Sequence, residues 1–315
     1  MALSSAGRQS THRLIIAALL LFCAPVVSGA QDIKITLLGT GTPPAEIDRF
    51  GPSTLVEAGG ELLLFDVGRG VTQRLSQLKI NPPELDALFL THLHADHTVG
   101  MPDLWLVSAL GNRRAGFRIF GPEGTAAMML NLRRAFDADS RIAAGADATP
   151  TTQIAEGVVY TQNRVTVTAF RVDHAAGPTA AFGYRIDYAG RSVVISGDTR
   201  PSDNLVKFAQ GADVLIHEVI AAGAGALKAS EQAKQTVGVH TSPEDAGRIF
   251  DRVKPKLAVY THVSLVAGPA AQARLTAELI PRTRTTYAGA VEVGEDLMTI
   301  VVGDRVEVRR FTTRP

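Results

Sequence analysis

Two kinds of hydrophobic pattern alternate along the chain. Short β-branched or alternating runs, such as 33–38, have the two-residue period of strands, and longer segments, such as 126–135, have the helical period. The predicted strands are 33–38, 53–57, 61–66, 85–90, 117–120, 165–172, 182–188, 192–196, 214–217, 257–260, 298–302 and 305–308. The predicted helices are 71–78, 102–110, 126–135, 243–250 and 270–279. Strands therefore lead into helices twice along the sequence.

This order predicts an α/β fold in which two sheets pack face to face with helices outside them, a four-layer αββα sandwich. An open, doubly wound sheet is the alternative, which the loop Gly39-Thr40-Gly41 after the first strand would allow. That loop has no third glycine at the offset of a dinucleotide-binding motif and no clear helix start, so the sandwich is favoured.

The first thirty residues have the pattern of an export signal. Arg8 and Arg13 make the first residues basic, and the apolar segment 14–27 follows them. Ser28-Gly29-Ala30 then offers a cleavage site of small residues. The apolar part is short for a membrane span, although an uncleaved N-terminal anchor stays an alternative. We therefore predict a signal peptide at 1–30, cleavage near Ala30, a hydrolase domain at 31–315, and a periplasmic or secreted protein.

Removal of residues 1–30 would change both the charge and the ligand chemistry. Arg8 and Arg13 would leave, so that 30 basic residues face 31 acidic ones, and no basic excess remains to attract nucleic acid. The only cysteine, Cys23, would leave as well, so nitrogen and oxygen would have to hold any metal. We expect nucleic acid to be an unlikely partner and no stable membrane anchor after cleavage, while a homodimer stays open.

The strongest chemical signal is the run His92-Leu93-His94-Ala95-Asp96-His97, directly after a predicted strand. It places four potential metal ligands within six residues. Neutral imidazoles and a carboxylate at this density are costly to bury unless a cation neutralises them. The run therefore predicts a metal centre at the end of the strand.

Other potential ligands also follow predicted strands. They are His174, His217, His240, His262 and Asp198, the last within Ser196-Gly197-Asp198-Thr199. Because strand ends gather at one edge of a layered α/β fold, we expect several of these side chains to meet the histidine run.

The pattern His-x-His-x-Asp-His with this downstream series resembles the metallo-β-lactamase-fold hydrolases, and within them it is similar to the ribonuclease Z and arylsulfatase-like branch. The resemblance runs from Leu38-Gly39-Thr40-Gly41 to Thr261-His262-Val263-Ser264. It implies two divalent ions, with zinc expected and manganese or iron also compatible. The implied ligands are His92, His94 and His174 for one ion, Asp96, His97 and His262 for the other, and Asp198 as a bridge.

The resemblance also implies roles for residues that do not bind metal. Asp66, in Phe65-Asp66-Val67-Gly68, would support the histidine run from behind. Glu218 and His240 would assist catalysis together with the ligand Asp96, which could orient the attacking hydroxide. Capping of the helix near Pro243 is the alternative role for His240.

The chain departs from the ribonuclease Z pattern at several points. Val67 stands where that branch usually has cysteine, and Arg69 stands where it usually has an acid. Only twelve residues separate Gly183-Tyr184 from Gly197-Asp198, which leaves no room for the long tRNA-gripping arm of that branch. These departures argue against tRNA maturation.

Together these features predict an exported hydrolase in which a hydroxide shared by two metal ions attacks a small ester-type substrate, either a phosphodiester or an aryl sulfate. The enzymatic alternatives are a lactonase or β-lactamase and a ribonuclease Z-like endonuclease without the arm. The non-enzymatic alternative is a periplasmic metal-binding module. The expected pocket walls are the loops 42–51, 137–150 and 221–238.

Overall fold

The computed structural model describes residues 1–2, 31–110, 117–142, 149–174 and 180–312, apart from the side chain of Pro269. Most of the predicted signal peptide, and the part of the predicted loop 137–150 that spans 143–148, lie outside the described residues. No helix in the described ranges is long and apolar enough to cross a membrane.

The first sheet joins the N-terminal half of the chain to its C-terminal hairpin. Its strands are β1 (Ile33–Gly39), β2 (Ser53–Ala58), β3 (Glu61–Phe65), β4 (Ala87–Phe89), β5 (Arg118–Gly121), β6 (Thr151–Gln153), β14 (Thr299–Val302) and β15 (Val306–Arg309). They lie in the order β15-β14-β1-β2-β3-β4-β5-β6, and the pairs from β3 to β6 are parallel.

The second sheet comes from the middle and later part of the chain. Its strands are β7 (Gly157–Gln162), β8 (Val165–Val172), β9 (Ala181–Tyr188), β10 (Arg191–Ile195), β11 (Val214–Ala222), β12 (Leu257–Val266) and β13 (Val291–Val293). They lie in the order β13-β12-β11-β10-β9-β8-β7, with β10 to β13 parallel.

Helices follow many of the strands along the chain. They are α1 (Val71–Gln77), α2 (Ala95–Thr98), α3 (Met101–Leu110), α4 (Thr125–Ala135), α5 (Asp203–Ala209), α6 (Ala224–Ala229), α7 (Glu231–Gly238), α8 (Pro243–Val253) and α9 (Pro269–Thr283), and a single 3-10 turn spans Pro82–Glu84. Ser242 caps α8 by accepting a hydrogen bond from the amide of Asp245, as its position before Pro243 predicts.

Three hydrophobic cores separate the four layers. The central core lies between the sheets and contains residues such as Val56, Phe89 and Ile216. A second core packs α5, α8 and α9 on the second sheet, and a third packs α1, α3 and α4 on the first. The predicted αββα sandwich is confirmed, because each sheet buries one face against its partner and the other under helices.

Some elements differ from the prediction. The segment 221–238 was expected to be a loop, but it contains the end of β11 and the helices α6 and α7. Its alanine-rich composition carries too few apolar residues to show a helical period, although Ser230 caps α7 by accepting from the amide of Ala233. The hydrophobic pattern also does not predict the short helix α5 or the strands β6, β7 and β13.

Candidate metal centre

The predicted ligands meet where strands of both sheets end. The histidine run follows β4 in the first sheet, and in the second sheet His174 follows β8 and Asp198 follows β10. Further along the same edge, Glu218 lies within β11 and His262 within β12. The topology alone thus brings together residues that are up to 170 positions apart in sequence, from His92 to His262.

One group of ligand atoms comes from three histidines and an aspartate. His92 Nε2 lies 2.9 Å from His94 Nδ1, and His174 Nε2 lies 3.3 Å from that same His94 atom. Asp198 Oδ2 completes the group at 3.8 Å from His92 Nε2 and 4.0 Å from His174 Nε2. Four potential donors therefore converge on a single point.

A second group lies beside the first. His97 Nε2 is 3.5 Å from Asp96 Oδ2, and His262 Nε2 is 3.3 Å from the same oxygen. Asp198 Oδ2 also lies 3.4 Å from His97 Nε2 and 3.3 Å from His262 Nε2. One carboxylate oxygen of Asp198 is thus within 4.0 Å of four imidazole nitrogens drawn from both groups.

Hydrogen bonds on the outer ring nitrogens orient three of these histidines. His97 Nδ1 donates to Asp66 Oδ2 at 2.8 Å, and His174 Nδ1 donates to the carbonyl oxygen of Val239 at 3.0 Å. His92 Nδ1 lies 3.0 Å from Thr91 Oγ1, which itself donates to Asp66. Because each Nδ1 is engaged in an outer hydrogen bond, each Nε2 faces the centre as the nitrogen left to bind a cation.

Asp66 supports the histidine run from behind. Its two carboxylate oxygens accept from the amide and the hydroxyl of Thr91, each at 2.8 Å, as well as from His97. The residue has a φ of +59°, a left-handed conformation that costs free energy in any residue other than glycine. The buried hydroxyl of Tyr184 adds a bond across the sandwich to the carbonyl oxygen of Leu90 at 2.6 Å.

Local backbone irregularities aim Asp198 and His262. Gly197 has a φ of +61°, and a Cβ there would lie 2.6 Å from the carbonyl oxygen of Phe182, so only glycine fits before Asp198. His262 has a φ of +42° and is the extra residue of a β-bulge, because Thr261 pairs with Glu218 and Val263 pairs with Val219. A bulge turns a side chain away from its regular direction, here toward the centre.

Glu218 and His240 form a polar pair at the side of the centre. Glu218 Oε1 accepts from His240 Nδ1 at 3.1 Å and from the amides of Thr199 and Thr241 at 3.2 and 3.0 Å. A ring nitrogen of His240 lies within 4.8 Å of ligand atoms of Asp198 and His262. The pair is therefore close enough to act on a group bound at the centre, and Ser242, not His240, caps the adjacent helix.

Burial and neighbouring charges shift the pKa values of these groups in opposite directions. Burial lowers the pKa of His92 well below its ordinary value, with the neighbouring His97 acting in the same direction. Burial would raise the pKa of Asp198, but the surrounding histidines outweigh it and hold the pKa well below its ordinary value. Burial would lower the pKa of His240, yet the charge and hydrogen bond of Glu218 raise it to about 9.

The donor set fits divalent cations. Two nitrogen or oxygen ligands on one tetrahedral zinc ion lie about 3.3 Å apart, and the inward-facing atoms are separated by 2.9–4.0 Å. Among the described side chains, His97 Nε2 and Asp198 Oδ1 are buried without a hydrogen-bond partner. Buried polar atoms without partners are costly in a protein, and a cation would satisfy such inward-facing atoms.

All seven predicted ligands lie in this cluster, and the predicted catalytic groups Glu218 and His240 adjoin it. His217 does not: its side chain packs against Phe250 on the opposite face of β11, with Nδ1 donating to the carbonyl of Glu218 at 2.7 Å. The orienting contacts of Thr91 and the Val239 carbonyl could not be found from the sequence. A hydroxyl beside a histidine carries little signal, and a backbone oxygen carries none.

Comparison with known proteins places the architecture in a family. The model of the β-lactamase superfamily domain matches residues 62–263, a segment that includes every predicted ligand. Ribonuclease Z from Mycobacterium bovis (strain BCG / Pasteur 1173P2) is 36% identical over 283 residues, which cover 87% of this chain and 99% of that protein.

Solved structures support the same fold. The metallo-β-lactamase fold protein YhfI from Bacillus subtilis has a TM-score of 0.69 at 20% identity, covering 86% of this chain and 99% of that chain. The short form of human tRNase Z has a TM-score of 0.63 at 24% identity, covering 85% of this chain and 98% of that chain. At these identities the structures show the fold alone.

The expectation that nucleic acid is an unlikely partner is wrong for proteins of this kind, because the relatives that match nearly the whole chain are ribonucleases. The expectation came from net charge and from the missing arm. Net charge averages over the entire surface, whereas cations at the site can neutralise a phosphate locally. The alignment with the M. bovis protein spans 99% of that relative, so no long segment of it lacks a counterpart here.

The comparisons also decide between an enzyme and a metal-binding module. The superfamily match covers more than half of the chain, and the ribonuclease Z relative is more than 30% identical over almost its full length. The clustered histidines and aspartates occur within that matched segment. The chain therefore belongs to the β-lactamase superfamily, as a metallo-β-lactamase-fold hydrolase similar to ribonuclease Z.

Proposed function

We propose that this chain hydrolyses phosphodiester bonds in RNA by a reaction of the ribonuclease Z type. The observation that carries the proposal is Asp198 Oδ2, which lies within 4.0 Å of the Nε2 atoms of four histidines. Such a cluster suits two divalent cations, for which we propose zinc. The identity to ribonuclease Z favours the phosphodiester over the aryl sulfate.

The proposed ligands divide between the two sides of Asp198. His92, His94 and His174 would hold one ion, Asp96, His97 and His262 would hold the other, and Asp198 would contact both. When bound, such ions lower the pKa of water and neutralise negative charge on the phosphate oxygens. That supply of positive charge would let a chain whose net charge is only +1 accept a polyanionic substrate.

The remaining groups would handle protons. The Asp96 side chain is 13% exposed, compared with 4% for Asp198, so Asp96 can reach a water that enters with the substrate. It would accept the proton of that water as oxygen attacks phosphorus. His240, held by Glu218 at 3.1 Å, would give a proton to the leaving oxygen as its bond to phosphorus breaks.

Substrate panels test this function. The protein loaded with zinc should cleave bis(p-nitrophenyl) phosphate and a tRNA precursor with a 3′ extension, and it should leave p-nitrophenyl sulfate and a lactone essentially uncut. Asp198→Asn should lose turnover. The matched control is Asp187→Asn, a carboxylate hydrogen-bonded to Arg185 and Ser192 at the far end of the sheet, which should keep it.

Two results would contradict the proposal. Turnover by Asp198→Asn at the wild-type rate would remove the centre from the reaction. Cleavage of the sulfate or the lactone with no cleavage of either phosphodiester would assign the site to a different ester class.

We also propose that residues 1–30 are an export signal that is removed near Ala30, leaving a periplasmic or secreted enzyme. The first core strand begins at Ile33, whose side chain is buried, so cleavage at this point would spare the fold. N-terminal sequencing of the protein recovered from the cell envelope and from the cytoplasm tests this. A chain that keeps its first residues and stays in the cytoplasm would refute export without affecting the proposed reaction.

A further inference from the structure

We infer that Asp296 is a positioning residue, which holds the metal ligand His262 in place through the backbone of Thr40. Asp296 lies in the connection that leads from β13 of the second sheet to β14 of the first, whereas His262 lies within β12. Neither its sequence context nor the comparisons assign it a role. The inference rests on the proposed metal centre, because it concerns how one of its ligands is aimed.

Asp296 is a buried hydrogen-bonding hub. Its side chain is 4% exposed, and Oδ1 accepts from the amide and the hydroxyl of Thr40 at 2.9 and 2.8 Å. Oδ2 accepts from the amide of Phe50 at 2.8 Å and from Arg74, at 3.2 Å from Nε and 2.8 Å from Nη2. A carboxylate that accepts five hydrogen bonds fixes the positions of all its donors.

Thr40 transmits this position to the centre. Its carbonyl oxygen accepts from the amide of Val263 at 2.8 Å, directly after His262. At that point β12 bulges, and the φ of +42° at His262 is a strained conformation that persists only where the surrounding structure holds it. The hydrogen bond between Thr40 and Val263 helps to hold this conformation, because it fixes the residue that directly follows His262.

A second set of bonds keeps Thr40 from moving. Arg49 Nη1 donates to the hydroxyl of Thr40 at 2.7 Å and to the carbonyl oxygen of Gly294 at 2.8 Å. The amide of Gly294 in turn donates to the carbonyl oxygen of Tyr260 at 2.8 Å, two residues before His262. The segment around Asp296 therefore grips β12 on both sides of the bulge.

The substitution Asp296→Asn separates this role from simple volume filling. The amide keeps the size of the side chain and can still accept from Thr40 through its oxygen. Its NH2 group has no lone pair to offer, so the amide of Phe50 and the guanidinium of Arg74 would face another donor. Thr40 and the β-bulge at His262 should then both shift from their wild-type positions.

The expected result is a loss of zinc affinity of about 10- to 100-fold in Asp296→Asn, the usual effect of removing a partner that orients a ligand. Zinc affinity would be measured by competition with a chromogenic chelator, which needs no turnover, and kcat and KM would be measured separately. Unfolding by urea would show how much stability each variant has lost.

The matched control is Asp213→Asn. Asp213 is also a buried carboxylate, accepts from the amide of Ser192 at 2.8 Å and pairs with Lys256 at 2.7 Å. It lies at the beginning of β11, away from the centre. It should lose comparable stability and bind zinc as the wild type does.

Three results would overturn the inference: wild-type zinc affinity in Asp296→Asn, an equal loss of affinity in both variants, or wild-type affinity in Thr40→Val. The last variant removes two of the hydrogen bonds that hold Thr40 in place, those of its hydroxyl with Asp296 and Arg49, and keeps the bond from its amide. It should therefore lower zinc affinity less than Asp296→Asn does, and it decides the matter if Asp296→Asn does not fold. If the wild-type protein bound no zinc, the proposed centre would be overturned and this inference with it. If the wild type bound zinc and the variants bound it with the same affinity, only this inference would be overturned.

Discussion

At the scale of single residues, hydrogen-bond partners around the centre determine which ring nitrogen of each histidine faces it. Asp66, Thr91 and the carbonyl of Val239 accept hydrogen bonds from the Nδ1–H groups of His97, His92 and His174. Three rings are thus turned with Nε2 toward the centre before any ion arrives, which lowers the cost of assembling the site. His240 differs in its proposed role: it would give a proton to the leaving group and would not bind an ion, and its Nδ1 donates to Glu218.

This difference predicts that His240→Asn reduces turnover without removing metal. Loss of a proton donor typically costs about 10²–10⁴-fold in rate, whereas none of the ions would lose a proposed ligand. Measurement of kcat alongside elemental analysis checks the prediction. Loss of metal in this variant would make His240 a ligand instead of a proton donor.

At the scale of elements, two helices outside the second sheet hold the segment that carries His240. The helix α8 begins two residues after Thr241, and Glu244 in its first turn binds Arg282 of α9 with two bonds, at 2.7 and 2.8 Å. The hydroxyl of Thr286, just after α9, also donates to the carbonyl of Glu244 at 2.8 Å. Packing of α8 on α9 is therefore fixed near the pair formed by Glu218 and His240.

The hydrogen bond from Arg282 lowers the pKa of Glu244 below its ordinary value of 4.5. A carboxyl group whose pKa is lowered by folding stabilises the protein above its unfolded pKa, and this contribution is lost as the pH falls through the lowered value. At pH 7, Glu244→Gln should thus cost about 0.5–1 kcal/mol in unfolding free energy, because the pair is partly exposed and screened by solvent.

Urea unfolding at several pH values measures this effect. The difference between wild type and Glu244→Gln should shrink as the pH falls below 4.5, the ordinary pKa of the group. The control is Glu278→Gln on α9, whose pair with Arg274 is longer, at 3.6 Å, and more exposed, and which should cost less. A constant difference across pH would mean that the pair with Arg282 is not its source.

At the scale of the whole molecule, the two sheets are joined at both ends of the sandwich. The candidate metal centre lies at one end. Near the other, Tyr160 of β7 donates a buried hydrogen bond to Glu61 of β3, and Asn163 donates to the same carboxylate at 2.6 Å. The second end has no contact with the proposed chemistry, so it offers a way to separate stability from function.

Tyr160→Phe should destabilise the fold and leave the centre intact. The substitution removes one donor from the buried carboxylate of Glu61, which typically costs about 1–3 kcal/mol. Thermal unfolding should show the loss, while zinc affinity and kcat stay at their wild-type values. A loss of zinc affinity here would mean that the two ends of the sandwich are coupled.

How far the sequence predicts this molecule depends on the range of the interactions. His92, His94 and Asp96 could be found because their spacing is local, and Asp198 and His262 because strand ends converge in layered folds. The helices α6 and α7 and the hub at Asp296 could not. Alanine-rich helices show little hydrophobic period, and Asp296 acquires its role only when β13 and β14 bring it to Thr40.

Metal removal tests the molecule as one cooperative unit. The centre gathers side chains from both sheets, so an ion bound there stabilises only the folded arrangement, and its binding free energy adds to stability. Zinc at about 100 times its dissociation constant should add about 2.7 kcal/mol for each bound ion, and this gain should be lost on treatment with a chelator and restored by zinc. In Asp198→Asn, which weakens both halves of the cluster, zinc should shift the unfolding temperature much less. An unfolding temperature that ignores zinc in the wild type would mean that these side chains, close as they are, do not form a metal site.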